Sequence, residues 1–173
     1  MADRGFTLVE LVLVLTIGSI LLAIAIPGYA FLSTGSRLST TTNDLVAALH
    51  LARSEAVKRR ARVSICKSDN AMSVQPSCNG NASWEAGWLV FVDDGPRGVV
   101  DPGDTVLWSK DQASDGVAIT ASNFTSYISY LPSGVSQGPN GLPNGTLHVC
   151  VNGQQRNIII NATGRPRLST STC

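Results

Sequence analysis

Three groups of residues in this chain have types and spacings that could do chemistry. The first is a pair of arginines, Arg165 and Arg167, with Pro166 between them and Gly164 in front. A guanidinium is a planar fork that fits phosphate oxygens two at a time. Gly164 supplies backbone freedom, and Pro166 fixes the chain between the two side chains. On an extended, exposed segment each arginine can reach its own phosphate. From Gly116 to Cys173 there are three bases, Arg156, Arg165 and Arg167, and no acid, a pattern that favours a polyanionic partner. The second group lies between Arg53 and Lys67, where six bases (Arg53, Lys58, Arg59, Arg60, Arg62 and Lys67) face one acid, Glu55. Cations also stabilise the C-terminal end of a helix, so this cluster has a purely structural reading as a solvated helix end. The third is a lone carboxylate, Glu10, inside an apolar run.

Glu10 raises the sharpest question. From Leu11 to Ser36 there is no charge. A helix of about 20 residues rising 1.5 Å each crosses a bilayer core of ~30 Å. A carboxylate at that depth costs roughly 2.5 kcal/mol or more, so it calls for a partner. A secretory signal cut after Ala23-Ile24-Ala25 is one reading, but the head carries only Arg4, balanced by Asp3. A plain membrane anchor leaves Glu10 unexplained. The third reading is a leader cut after Gly5, with Phe6 as the new N-terminus and the apolar stretch retained. The run GFTLVE, followed by the apolar helix and Pro27, resembles the type IV prepilin signature. The resemblance implies that a prepilin peptidase cuts after Gly5 and methylates the amine of Phe6. It also implies that Glu10 pairs with an N-terminal amine during assembly, an ion pair that is favourable in apolar surroundings only when both charges are present.

Composition fits one anchored domain of 173 residues, with a charged fraction of 14% and a net charge of +1 that removal of residues 1–5 leaves unchanged. Four cysteines without a CxxC pair point to disulfides in an oxidising compartment rather than to a metal or thioredoxin site. Three connectivities are open. Cys66–Cys78, closing a short loop, and Cys150–Cys173, tying down the last residue, are favoured. The aspartates of the stretch 93–104 do not follow EF-hand spacing and read as turn formers between two strands. His50 and His148 stand without a nucleophile motif, and no G-x-S-x-G, HExxH or P-loop pattern occurs. No enzyme activity, metal or cofactor is expected.

The elements that must position these groups follow from periodicity. Leu38, Leu45, Leu49, Ala52 and Ala56 form one stripe of an amphipathic helix. Pro27 should kink or loosen that helix, and the run Ser39-Thr40-Thr41-Thr42-Asn43 should be a second weak point. Beyond Arg62 the pattern changes to short β-runs, expected at 63–67, 87–92, 105–109, 117–120, 127–131, 146–151 and 156–161. Asn152-Gly153 marks a hairpin. The fold class is therefore α+β, with a leader at 1–5, a helix over 6–60 and a β-rich head over 61–173, the helix stripe packing on the sheet. Tyr127 and Tyr130 alternate at core spacing, although exposed tyrosines there could stack on bases.

The segment LARSEAVKRRARVSIC, from Leu51 to Cys66, resembles the helix-to-strand junction of the GspH/FimT family of minor pilins and pseudopilins. The tail matches the GRxR motif of FimT proteins at Gly164, Arg165 and Arg167. FimT proteins are the minor pilins implicated in DNA uptake during natural transformation. The resemblance implies a type IV pilin fold, an inner-membrane anchor with a periplasmic head, and later a place in an extracellular pilus with other major and minor pilins. It implies DNA binding through Gly164, Arg165 and Arg167, with Arg156 and the junction residues Lys58, Arg59, Arg60 and Arg62 as further contacts. The alternative is a structural or priming pilin, or a type II secretion pseudopilin, that binds no DNA.

Overall fold

The structure, a computed structural model, describes residues 7–173, so the cleavage and methylation positions Gly5 and Phe6 lie outside the described residues. One helix, α1, runs Leu8–Arg59 over 52 residues. The chain divides into two compact units, one ending at Ser36 and one spanning Arg37–Cys173.

In the first unit α1 is long and apolar enough to cross a membrane. Two of its polar side chains are satisfied locally. The Thr16 hydroxyl donates to the Leu13 carbonyl at 2.8 Å and the Ser19 hydroxyl to the Thr16 carbonyl at 2.8 Å, so neither needs water in an apolar medium. The helix continues through Pro27 without ending.

In the second unit the expected stripe is the buried one. Leu38, Leu45, Leu49, Ala52 and Ala56 are all in the core, with Ala48 beside them. Alanines at three successive contact positions let the sheets approach the helix closely. The Ser39–Asn43 run is not a weak point. Thr41 and Thr42 are buried, and the Thr42 hydroxyl donates to the Leu38 carbonyl at 2.6 Å. Tertiary burial has overridden poor helix propensity there. The helix stops where Arg60 adopts a left-handed φ of 54°, the conformation that commonly closes a helix.

Nine strands follow: β1 (Val63–Lys67), β2 (Trp88–Val92), β3 (Val106–Lys110), β4 (Val117–Ser122), β5 (Tyr127–Tyr130), β6 (Ser136–Gln137), β7 (Gly145–Val151), β8 (Gln154–Ile160) and β9 (Pro166–Thr172). They form two antiparallel sheets, ordered β3-β2-β1-β5-β6 and β4-β7-β8-β9. The seven expected strands are present with ends shifted by a residue or two. β6 and β9 are additions. β7 alternates cleanly between buried and half-buried residues, as a sheet with one face on the core must. Asn152 and Gly153 join β7 to β8 with φ of 48° and 82°, the two positive values that a type I′ turn requires.

A smaller cluster of Cys66, Ala71, Leu89 and Phe91 lies on the other face of the first sheet. Cys66–Cys78 closes the loop over it with a Cα separation of 5.6 Å, and Cys150–Cys173 spans 6.1 Å. The favoured pairing is the one the structure holds.

Candidate functional site

The segment carrying Arg165 and Arg167 is not a free tail. It is a tight turn running into the edge strand of the second sheet. Asn161 organises the turn: its side-chain oxygen accepts from the Thr163 backbone N–H at 3.2 Å, the Thr163 hydroxyl at 2.8 Å and the Arg165 backbone N–H at 2.9 Å. Its backbone carbonyl accepts from Gly164 N–H at 2.9 Å. Gly164 has φ of 75° and is buried, which makes this a three-residue hairpin closed by a left-handed glycine. A Cβ on Gly164 would lie 2.2 Å from the Gly134 carbonyl oxygen and 3.0 Å from the Tyr130 ring. The glycine therefore lets the arginine turn press against the β5–β6 turn of the other sheet. Tyr130 is fully buried beneath it, so base stacking by this ring is ruled out.

Arg53, on α1, ties both turns to the helix. Its Nε donates to the Gly134 carbonyl at 3.0 Å and its Nη2 to the Thr163 carbonyl at 3.4 Å. Asn161 carried no role in the sequence reading, and Arg53 entered it only as one base of the junction cluster, not as a partner of the arginine turn. The Asn-x-x-Gly spacing of the turn was the available signal for Asn161; nothing local could signal that Arg53 meets Gly134 and Thr163.

Arg165 and Arg167 are exposed, and neither is ion-paired among the described residues. β9 pairs with β8 along its whole length, with Arg167 opposite Ile159 and Pro166 opposite Ile160. Proline is tolerated as the first residue of an edge strand because its missing N–H breaks no rung. Arg167 shares its sheet face with a neutral polar ladder. Asn157 Oδ1 lies 2.7 Å from His148 Nδ1, and Gln155 Nε2 donates to Asn157 Oδ1 at 2.6 Å and to the Ser171 hydroxyl at 3.0 Å. Arg156 is an odd number of residues from Ile159 and so points to the opposite, core-facing side, in line with Ile158 and Ile160. It does not join Arg167 on one surface.

The junction cluster is spent differently. Lys58 and Arg59 both pair with Glu55, at 3.2 Å for Lys58, and these two cations hold the Glu55 carboxyl below its ordinary range, Arg59 most strongly. Arg62 is bound to the buried Asp93 at 2.8 Å and to the Gly95 carbonyl. Asp93 in turn accepts from the Ser64 hydroxyl and from Gly98 N–H at 2.9 Å. Arg62 is thus a structural cation and not a free phosphate contact. Lys67 is buried, and burial pushes its ammonium below the ordinary lysine range, an effect Glu85 partly offsets. Arg60 alone of the expected junction contacts is exposed and without an ion pair among the described residues.

The aspartates of the loop 93–104 serve its turns: Asp104 accepts from the backbone N–H groups of Asp94 at 3.3 Å and Asp101 at 2.9 Å. Among the described residues no three His, Cys, Asp or Glu side chains converge to hold a metal ion. At the other end of the chain, Thr7 and Glu10 form a capping box. The Glu10 carboxylate accepts from Thr7 N–H at 3.0 Å and from its hydroxyl at 2.9 Å, and Glu10 N–H donates to the Thr7 hydroxyl at 3.2 Å. The T-x-x-E spacing that signals such a cap was present in the sequence. It gives Glu10 a partner within its own chain.

Residues 41–164 match the family described as Type II transport protein GspH, and residues 1–26 match the prokaryotic N-terminal methylation motif. The chain is 29% identical to the pilin-like protein PilA1 of Thermus thermophilus over 97% of its own length and 99% of that protein's. Its fold is similar to that of the type IV minor pilin FimU of Pseudomonas aeruginosa in two crystal forms. One gives a TM-score of 0.58 at 21% identity, covering 78% of this chain and 89% of that one; the other gives 0.56, covering 76% and 92%. The methylation motif and the apolar helix fit a pilin anchored in the inner membrane that becomes part of a pilus, in contact with other pilins. With a long N-terminal helix, antiparallel sheets and a family match over most of its length, the chain belongs to the GspH family of type IV minor pilins and pseudopilins.

Proposed function

We propose that this pilin binds DNA without sequence specificity through Arg165 and Arg167 and serves DNA uptake in natural transformation. The observation that carries the reading is the uncompensated charge of these two arginines on a rigid turn, in a region from Gly116 onward that holds no acid. Asn161, Gly164 and the Cys150–Cys173 disulfide fix the turn and its strand before any ligand arrives, so little ordering entropy is lost on binding. Arginine–phosphate contacts position a duplex without reading its bases. Few contacts per subunit mean weak, salt-sensitive binding, strengthened when several subunits or a pilus tip act together. In the same reading a prepilin peptidase removes residues 1–5, the amine of Phe6 is methylated, and Glu10 exchanges Thr7 for an N-terminal amine during assembly. The intact mass of the purified chain tests that processing: it should begin at Phe6 and carry an added methyl.

The DNA test is a titration of the full chain in nonionic detergent with a short mixed-sequence duplex. Arg165→Gln/Arg167→Gln is expected to weaken binding by roughly 10- to 100-fold at low salt and to lower the slope of log K against log salt by about 1.8, two contacts at ~0.9 each. A wild-type chain that binds no DNA, or a double variant that binds equally well, contradicts the reading. The second reading, a structural or priming pilin without DNA binding, is favoured by the GspH match, which covers α1 from residue 41 and the strands β1 to β8 and ends at Gly164, before both arginines.

A further inference from the structure

Arg53 differs from Arg59 and Arg62, and like Arg37, whose Nη1 donates to the Asp115 carbonyl at 2.8 Å, it is held by main-chain oxygen alone. Arg62 and Arg59 each meet a carboxylate, whereas Arg53 meets only the main-chain carbonyls of Gly134 and Thr163. A guanidinium carries five N–H donors, so two carbonyls leave more than half of them unspent and the charge unneutralised. The nearest acid in sequence, Glu55, is two residues on and therefore on the far side of the helix, where it is occupied by Lys58 and Arg59. Arg53 also lines a groove of about 720 Å³ along the last turns of α1, together with His50, Ser54, Val57 and Lys58. Thr163, to which Arg53 donates, is two residues before Arg165. The groove and the arginine turn are thus continuous through one side chain.

We propose that this groove is a second binding site for the nucleic-acid backbone, with Arg53 as its phosphate-binding residue. The inference rests on the DNA-binding reading above and extends it from two arginines to a track. A phosphodiester backbone leaving Arg165 crosses the Thr163 carbonyl, meets the fixed guanidinium of Arg53 and runs past Ser54 along the last turns of α1. The two carbonyl contacts pre-set the orientation of Arg53, as an arginine that binds a phosphate with little loss of side-chain freedom requires. The shared surface also explains why Gly134 and Gly164 pack so closely: a side chain on Gly164 would lift the turn away from Arg53.

The test uses the full chain in nonionic detergent and the same short duplex, titrated across salt concentrations, with thermal unfolding to confirm folding. Arg53→Gln is expected to lower the salt slope by about 0.9, the loss of one phosphate contact, while Arg53→Lys retains the slope because it retains the charge. Ser54→Glu places a carboxylate in the groove without touching the carbonyl contacts and is expected to weaken binding several-fold; Ser73→Glu, on a distant loop, should not. A wild-type slope in Arg53→Gln, equal losses in Arg53→Gln and Arg53→Lys, or wild-type affinity in Ser54→Glu each overturns the proposal. If Arg53→Gln fails to fold, Ser54→Glu decides alone. These failures differ from failure of the underlying reading, which appears as no binding by the wild type or no effect of Arg165→Gln/Arg167→Gln and removes both.

Discussion

The arginine turn and the helix junction are both basic, yet the fold spends their charge in opposite ways. At the junction Lys58 and Arg59 share Glu55, Arg62 locks onto Asp93 and Lys67 is buried. At the turn Arg165 and Arg167 are exposed beside neutral partners, with backbone order supplied by Asn161 and Gly164 instead of by ion pairs. A count of lysines and arginines ranks the junction first. A count of uncompensated charge ranks the turn first. What attracts a polyanion is the second quantity.

The contrast can be broken from the junction side. Arg62→Met leaves the Asp93 carboxylate buried without its cation, which costs about 3 kcal/mol, the lower end for a broken buried pair because Arg62 is partly solvated. Chemical denaturation should show that loss, while DNA affinity measured on the folded variant stays at the wild-type value. A drop in affinity without a drop in stability would make Arg62 a DNA contact and erase the distinction.

The turn side breaks with a smaller stability cost and a larger functional one. Gly164→Ala forces a side chain into a left-handed backbone and against the Gly134 carbonyl, a strain of roughly 1–3 kcal/mol. It should also reduce DNA binding, since the turn must lift. Unchanged denaturation would mean the close approach is not needed.

Lys67 gives the smallest effect. Its burial holds the folded-state ammonium below the ordinary lysine range. At neutral pH both folded and unfolded chains are protonated there, and the folded chain carries the burial cost. As pH rises through the lowered value the folded chain releases its proton first, the unfolded chain binds more protons, and stability increases. Lys67→Met should therefore raise the melting temperature slightly at neutral pH, and the gain should shrink as pH approaches the ordinary lysine range. A gain independent of pH would assign it to packing alone.

Much of this arrangement was legible before the structure. The Leu38–Ala56 stripe has helical spacing because one face is buried, and seven strands announced themselves through Val and Ile runs bounded by turn residues. Of the three disulfide connectivities the sequence left open, the one favoured for its short loop and terminal cysteine is the one present. β9 was not legible. Its sequence PRLSTST has no apolar alternation, because as an exposed edge strand it packs little on the core and is held by its ladder to β8. The two roles of the basic residues were also hidden. Arg62 meets an aspartate 31 residues away and Arg53 a glycine 81 residues away. Such partners depend on which strands lie side by side, which local periodicity does not encode. Arg156 was misplaced for a related reason: only the β8 register shows that it and Arg167 occupy opposite faces.

The comparison between the two regions is tested most directly on the unaltered protein. Arginine-selective modification with phenylglyoxal, with and without duplex DNA and read by peptide mass spectrometry, reports which guanidinium groups the ligand covers. The account expects DNA to protect Arg165 and Arg167 and to leave the modification of Arg59 and Arg62 unchanged. Protection at Arg59 and Arg62 with Arg165 and Arg167 still reactive would contradict it.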